Sequence, residues 1–219
     1  MAKAPKTERL SIDGPAGALE ALLDAPADGG IIAVAVVLHP HPQHGGTMQN
    51  KVTHTLARTL VGLGFAALRF NFRGTGGSAG RYADGDGEVE DAVAAAGFMR
   101  KRHPDRALWL AGFSFGAAIA VRAAIDVRPA GLISVAPAAR RFAGKLDAQP
   151  ECPWLVLQGD ADEVVDVNET VAWVDGLEPG PELRLLKGVD HFFHGKLNVL
   201  REAVTDFVTP LLASQPGEP

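Results

Sequence analysis

The chain has 219 residues, 47% of them apolar and 21% charged, with a net charge of −5. These values exclude a disordered chain, a coiled coil and a collagen-like repeat, and the length suits one α/β domain over 1–219 with a sizeable core. The acidic balance advertises no basic face for nucleic acid or for anionic lipid.

Cys152 is the lone cysteine, so it has no internal disulfide partner, and a reducing, cytoplasmic setting is expected. The lysines near the N-terminus are not followed by the apolar stretch of a signal peptide. No apolar run approaches the roughly 20 residues of a membrane helix, so no membrane association is expected.

In chain order, Leu10–Asp13 and Ala18–Leu23 flank Gly14-Pro15-Ala16-Gly17 and predict an antiparallel hairpin, about 8–24, at a sheet edge. Ile31–Leu38 is apolar throughout and rich in β-branched residues, the pattern of a central parallel strand buried on both faces. Val52, Leu56, Leu60 and Leu63 keep helical spacing up to Gly64, and Ala66–Phe70 is the next buried strand. An Ala-rich helix over Glu88–Met99 leads to a strand at Ala107–Phe113. A helix of small residues over Phe115–Ile125 leads to a strand at Leu132–Val135. Trp154–Leu157 is a further strand, Asn168 is the expected N-cap of a helix over Glu169–Val174, and Leu183–Leu186 is a short strand. Leu197, Leu200, Val204, Phe207 and Leu211 form the stripe of a last helix, after which residues 214–219 are expected to fray. Strands alternating with helices predict a mostly parallel central sheet with helices on both faces.

The most informative segment is Leu-Trp-Leu-Ala-Gly112-Phe-Ser114-Phe-Gly116-Ala-Ala, a buried strand running through G-x-S-x-G straight into a helix. That is a nucleophile elbow. The tight turn holds the serine hydroxyl clear of the sheet, and the helix N-terminus beneath it favours developing negative charge. Ser114 is the expected nucleophile. It needs a base, and the base needs an orienting acid, which follow an elbow serine in the order acid, then histidine.

After Trp154–Leu157 comes Gly159-Asp160-Ala161-Asp162-Glu163-Val164-Val165-Asp166, where four acids compete. Asp162, three residues past the glycine, is the expected acid, with Asp160, Glu163 and Asp166 assigned to capping or solvation. After Leu183–Leu186 comes Asp190-His191-Phe192-Phe193-His194. His191 precedes the last helix and is the expected base, and His194 is its rival.

A tetrahedral oxyanion needs two backbone N–H donors. The amide of Phe115, next to the serine, is one candidate. The loop His39-Pro40-His41-Pro42-Gln43-His44 supplies the other at His41, because the flanking prolines carry no N–H. His39, His41 and His44 also invite a zinc reading, but no Cys or carboxylate lies beside them and the prolines restrict convergence; no metal is expected. Gly74-Thr-Gly76-Gly77-Ser78-Ala79 fits the dinucleotide pattern G-x-G-x-x-A, yet loop rather than helix follows it.

Together the segments HPHPQHGGTMQNK, LRFNFRGTGGSAG, LAGFSFG, GDADEVVD and DHFFHG resemble the α/β-hydrolase superfamily. More narrowly, the chain is similar to its small bacterial predicted hydrolases and, in part, to dienelactone hydrolases. The resemblance implies the α/β-hydrolase fold, Ser114, Asp162 and His191 as triad, and no cofactor. Where many relatives have His-Gly after the oxyanion strand, this chain has His39-Pro40.

In this superfamily a lid follows the strand after the nucleophile helix. Here 136–153 is too short for a cap domain, which leaves loops 39–48, 75–87 and 138–149 as the roof. His39, Phe113 and Phe192 are the expected pocket residues, with Phe115 and Phe193 adding apolar surface. The expectation is a serine hydrolase of ester or thioester bonds in small acyl substrates, active as a monomer or homodimer. An amidase, peptidase or acyltransferase would use the same groups, and a non-catalytic binding module is the rival from another class.

Overall fold

The computed structural model describes residues 4–142 and 148–213; the expected fraying of 214–219 and part of the 138–149 loop fall outside them. Lys6–Gly14 (β1) and Gly17–Ala25 (β2) form the antiparallel hairpin, closed where Gly14 faces Gly17. Ala33–Leu38 (β3), Phe65–Phe70 (β4), Ala107–Phe113 (β5), Gly131–Val135 (β6), Trp154–Gly159 (β7) and Glu182–Leu186 (β8) extend it into an eight-stranded sheet. The order is β1-β2-β4-β3-β5-β6-β7-β8. Pairing is antiparallel from β1 to β4 and parallel from β4 through β8.

Helices Lys51–Gly62 (α1), Asp86–Arg102 (α2), Phe115–Val127 (α3), Ala139–Phe142 (α4) and Val167–Asp175 (α5) lie in the connections between strands, and Leu197–Ala213 (α6) follows β8. On one face Val34, Val36 and Leu38 of β3 share a core with Ala95 and Met99 of α2 and Ile119 and Ala123 of α3. On the other, Ala33, Ala35 and Val37 meet Leu56 and Leu60 of α1 and Val204 and Val208 of α6. Burial on both sides is why β3 shows no alternation, and each buried valine or leucine contributes about 1.5–3 kcal/mol.

Two local expectations are corrected. Strand β3 begins at Ala33, not Ile31: Ile32 N–H donates to the Gly64 carbonyl at 2.9 Å and the residue is 50% exposed. Helix α5 is capped by Asp166, whose carboxylate accepts from Asn168 N–H at 2.8 Å, so Asn168 lies inside the helix. A further short helix, α4, stands in what read as loop. The β6–β7 connection at 136–153 leaves no space for a cap domain. No helix among the described residues is long and apolar enough to cross a membrane.

Candidate active site

The parallel strands all point their carboxyl ends to one edge, and three side chains from three connections meet there. Ser114, between β5 and α3, has φ 54° and ψ −118°. A non-glycine residue adopts that conformation only where its surroundings dictate it. They do here: the Ser114 amide donates to the Val135 carbonyl at 2.8 Å, and its own carbonyl accepts from the Ala117 and Ala118 amides. Neither flanking glycine has room for a Cβ. At 112 it would strike the Gly116 backbone, and at 116 the carbonyl oxygens of Leu38 and His39. The N-terminus of α3 is thereby packed directly on the carboxyl end of β3.

His191 Nε2 lies 3.1 Å from Ser114 Oγ, and His191 Nδ1 lies 2.8 Å from Asp162 Oδ2. The His191 side chain is 3% exposed and that of Asp162 is 0% exposed. With the carboxylate ionised, the imidazole proton sits on Nδ1, which leaves Nε2 to accept from the serine hydroxyl. Burial pushes the Asp162 carboxyl upward, but hydrogen bonds from His191, Val165 and Val164 outweigh it and hold the group below its ordinary value. The geometry can move a proton from Ser114 to His191 and stabilise the resulting imidazolium.

The four competing acids separate cleanly. Asp162 Oδ1 accepts from the amides of Val164 at 2.9 Å and Val165 at 2.7 Å, while Asp160 accepts from Gly188 N–H at 2.6 Å and Asp166 caps α5. Glu163 is solvent-exposed, its carboxylate 3.5 Å from the His191 amide. His194 pairs with Asp190 at 2.8 Å on the surface and does not approach Ser114.

Of the expected pocket residues, Phe192 is 37% exposed and stands edge-on to His191 at 5.0 Å. Phe113 and His39 are corrections. Phe113 is fully buried with its ring 5.0 Å from that of His191, so it supports the histidine from inside. His39 is also fully buried: Nε2 accepts from Phe72 N–H at 3.0 Å, and Nδ1 lies 2.6 Å from the Pro40 carbonyl. Both ring nitrogens have backbone partners in the interior, so the imidazole ties β3 to the chain leaving β4. Phe193 is 1% exposed and belongs to the core.

This makes His39 a source of pH-dependent stability. Burial holds its pKa down to about 4 from the usual 6.5, against the Pro40 hydrogen bond. The unfolded chain therefore takes up a proton in that window that the folded chain refuses. The contribution is complete above pH 6.5 and is lost as pH falls towards 4, about 3 kcal/mol in all. His41, His54 and His103 are lowered too, so the informative quantity is a difference. His39→Gln keeps an acceptor but cannot titrate. The variant is expected to lose less melting temperature than wild type between pH 6.5 and 4.5; parallel curves would contradict the assignment.

His41 starts a single 3-10 turn, Pro42–His44, and packs its ring 4.8 Å from Phe115. Its Nε2 is 3.1 Å from Tyr82 Oη and 3.2 Å from Arg141 Nη1. Tyr82 rides on a braced loop: Glu88 accepts from the amides of Ala83 and Gly85, and Arg73 pairs with buried Asp91 at 2.8 Å. The glycines at 74–80, expected to border the pocket, are pinned to the hairpin instead. Glu20 accepts from Gly77 N–H at 2.8 Å, and Ala79 N–H donates to the Ala18 carbonyl at 2.8 Å. No helix opens there; α2 begins at Asp86. Among the described residues no three His, Cys, Asp or Glu side chains converge as metal ligands.

Three residues escaped the sequence reading. Gln158 is fully buried, donates to Asp162 Oδ2 at 3.0 Å and is itself held by Thr170 at 3.1 Å. Its signal was a polar residue closing an apolar strand. Tyr82 is the chain's single tyrosine, which was a weak cue. Arg141 offered none.

The family described as serine aminopeptidase, S33, matches residues 31–143. An uncharacterized protein of Rickettsia prowazekii is 33% identical over 211 residues, 91% of this chain and 88% of that one. A lid-less α/β serine hydrolase of Xanthomonas campestris superposes with a TM-score of 0.90 at 44% identity, covering 98% of this chain and 97% of its own. An α/β serine hydrolase homologue of Coxiella burnetii does so with a TM-score of 0.85 at 45% identity, over 91% and 96% of the two chains.

Proposed function

The chain belongs to the α/β-hydrolase superfamily, within the family described as serine aminopeptidase, S33, and on that footing we propose that it cleaves esters or thioesters of small acyl groups. The observation that carries this reading is the hydrogen-bonded line from Ser114 on its strained elbow through His191 to buried Asp162. His191 accepts the Ser114 proton as Oγ adds to the substrate carbonyl. The amides of Phe115 and His41 stabilise the oxyanion, a pairing supported by the close packing of the β3 end on Gly116. His191 then gives the proton to the leaving oxygen or sulfur, and water repeats the steps on the acyl-enzyme.

Asp162 keeps the proton on Nδ1, and Gln158 keeps Asp162 facing it. We place the protein in a reducing cytoplasm as a monomer or homodimer without cofactor. Burial pushes the Cys152 thiol up to about 11, so it stays protonated and inert.

Phe192 and Val164, 37% and 59% exposed, are apolar side chains on the loops that carry His191 and Asp162, and no cap domain follows β6 to cover them. Short acyl groups are therefore the expected substrates. On 4-nitrophenyl esters, kcat/KM is expected to peak at two to four acyl carbons, roughly, and to fall towards decanoate, with 4-nitroanilides much slower. A steady rise to decanoate would refute the short-acyl preference, and faster cleavage of the anilides would make the protein an amidase.

A further inference from the structure

Several contacts converge on one peptide plane, the trans bond between Pro40 and His41. The preceding residue, His39, has a backbone donor at one ring nitrogen and a backbone carbonyl at the other. Phe72 N–H can only donate, so His39 Nε2 is the unprotonated nitrogen and Nδ1 carries the hydrogen. That hydrogen is aimed at the Pro40 carbonyl oxygen, 2.6 Å from Nδ1. The ring is fully buried, and burial keeps it neutral at physiological pH.

The same carbonyl is enclosed by a second neighbour. A Cβ on Gly46 would overlap it, so the Gly46 backbone lies directly against the Pro40 oxygen. Beyond the plane, the His41 carbonyl accepts from the amides of His44 and Gly46, each at 3.0 Å. Pro40 and Pro42 have φ fixed by their rings, and Pro42 holds His41 extended, at ψ 120°. The peptide cannot turn over without breaking these contacts.

In a trans peptide the carbonyl and the N–H point in opposite directions. With its oxygen drawn to the His39 ring, the plane presents the His41 N–H on the side away from that ring. Among the described residues this amide meets no acceptor. The segment also lies on the elbow. A Cβ at Gly116 would strike the His39 carbonyl oxygen, and the His41 ring packs 4.8 Å from that of Phe115. A hydrogen bond into the Pro40 carbonyl further polarises the peptide and makes its N–H a stronger donor.

We propose that His39 is a positioning residue for the oxyanion hole. Through the Pro40 carbonyl, its imidazole turns the His41 N–H towards the oxygen of a substrate carbonyl on Ser114. This rests on the hydrolase reading above, with His41 as the second donor.

The test separates the two ring nitrogens. A glutamine amide reaches the place of Nε2, and an asparagine amide that of Nδ1. His39→Gln therefore keeps a partner for Phe72 N–H and loses the donor to Pro40, whereas His39→Asn keeps that donor and leaves the Phe72 amide unpaired. On 4-nitrophenyl acetate, His39→Gln is expected to lower kcat at least about tenfold, with KM changed less than about threefold. It is also expected to bind 1,1,1-trifluorobutan-2-one, whose adduct with Ser114 is a hemiketal oxyanion, at least about tenfold more weakly. His39→Asn is expected to recover most of the lost turnover while losing more melting temperature than His39→Gln. Gly46→Ala pushes on the Pro40 oxygen and leaves the ring in place; it is expected to lower kcat in the same way, and it carries the test should His39→Gln fail to fold. Wild-type kcat in folded His39→Gln or Gly46→Ala would overturn the assignment and leave the hydrolase reading intact. So would a His39→Asn variant as slow as His39→Gln, the mark of a purely structural role. A wild-type protein that neither hydrolyses the ester nor takes up a fluorophosphonate would overturn both readings.

Discussion

Ser114→Ala is expected to lower kcat on 4-nitrophenyl acetate by at least about 10³-fold while leaving the melting temperature little changed. The two halves of this expectation have different origins. The Ser114 hydroxyl is buried, 9% exposed for the residue, and faces His191 Nε2 at 3.1 Å, so its removal deletes the attacking group. The positive φ of 54° belongs to the backbone, which Val135, Ala117 and Ala118 hold through main-chain hydrogen bonds that alanine retains. A polar hydrogen bond worth about 1 kcal/mol is lost on folding, a small cost beside the catalytic one. Near-normal kcat in a folded variant would remove Ser114 from the mechanism.

Gly116→Ala is expected to be the most destabilising small substitution at the site, by about 3 kcal/mol or more, or roughly 10 °C in melting temperature. A Cβ at 116 falls 2.5 Å from the Leu38 carbonyl oxygen and closer still to that of His39. Retreat of either carbonyl is opposed, because β3 is paired by β4 up to Val37 and by β5 up to Leu38, and the His39 ring is anchored on the Phe72 amide. The same substitution at Gly97 of α2 is the internal control, since a Cβ there meets nothing within 4 Å. Gly97→Ala should stabilise by about 0.5–1 kcal/mol through helix propensity. Calorimetry of the two variants separates backbone crowding from a general cost of replacing glycine; equal melting temperatures would show that α3 is not wedged on β3.

The elbow was legible because its requirements are local. Glycines two residues either side of the serine, a buried strand before and small residues after, are all sequence-adjacent. The strands were legible because burial on two faces leaves unbroken apolar runs. Side-chain direction at strand ends was not. Phe113 and His39 lie at or just past the ends of β5 and β3, and which way such a ring turns depends on partners elsewhere in the chain. His39 is captured by the Phe72 amide, 33 residues away. Asp162 stood among four acids until the Val164 and Val165 amides and Gln158 distinguished it. Two capping-competent residues, Asp166 and Asn168, stood two apart, and the earlier one took the helix end. The His41–Tyr82–Arg141 cluster spans separations of 41, 59 and 100 residues, and no local pattern announces such a meeting.

The central claim is that Ser114 is activated by His191. Intact-mass measurement after reaction with a fluorophosphonate tests it without any assumption about substrate. The account predicts one adduct on the wild-type protein, located in the peptide holding Gly112–Gly116, absent in Ser114→Ala and formed far more slowly in His191→Ala. A folded wild-type protein that takes up no label, or that is labelled equally well without Ser114, would contradict it.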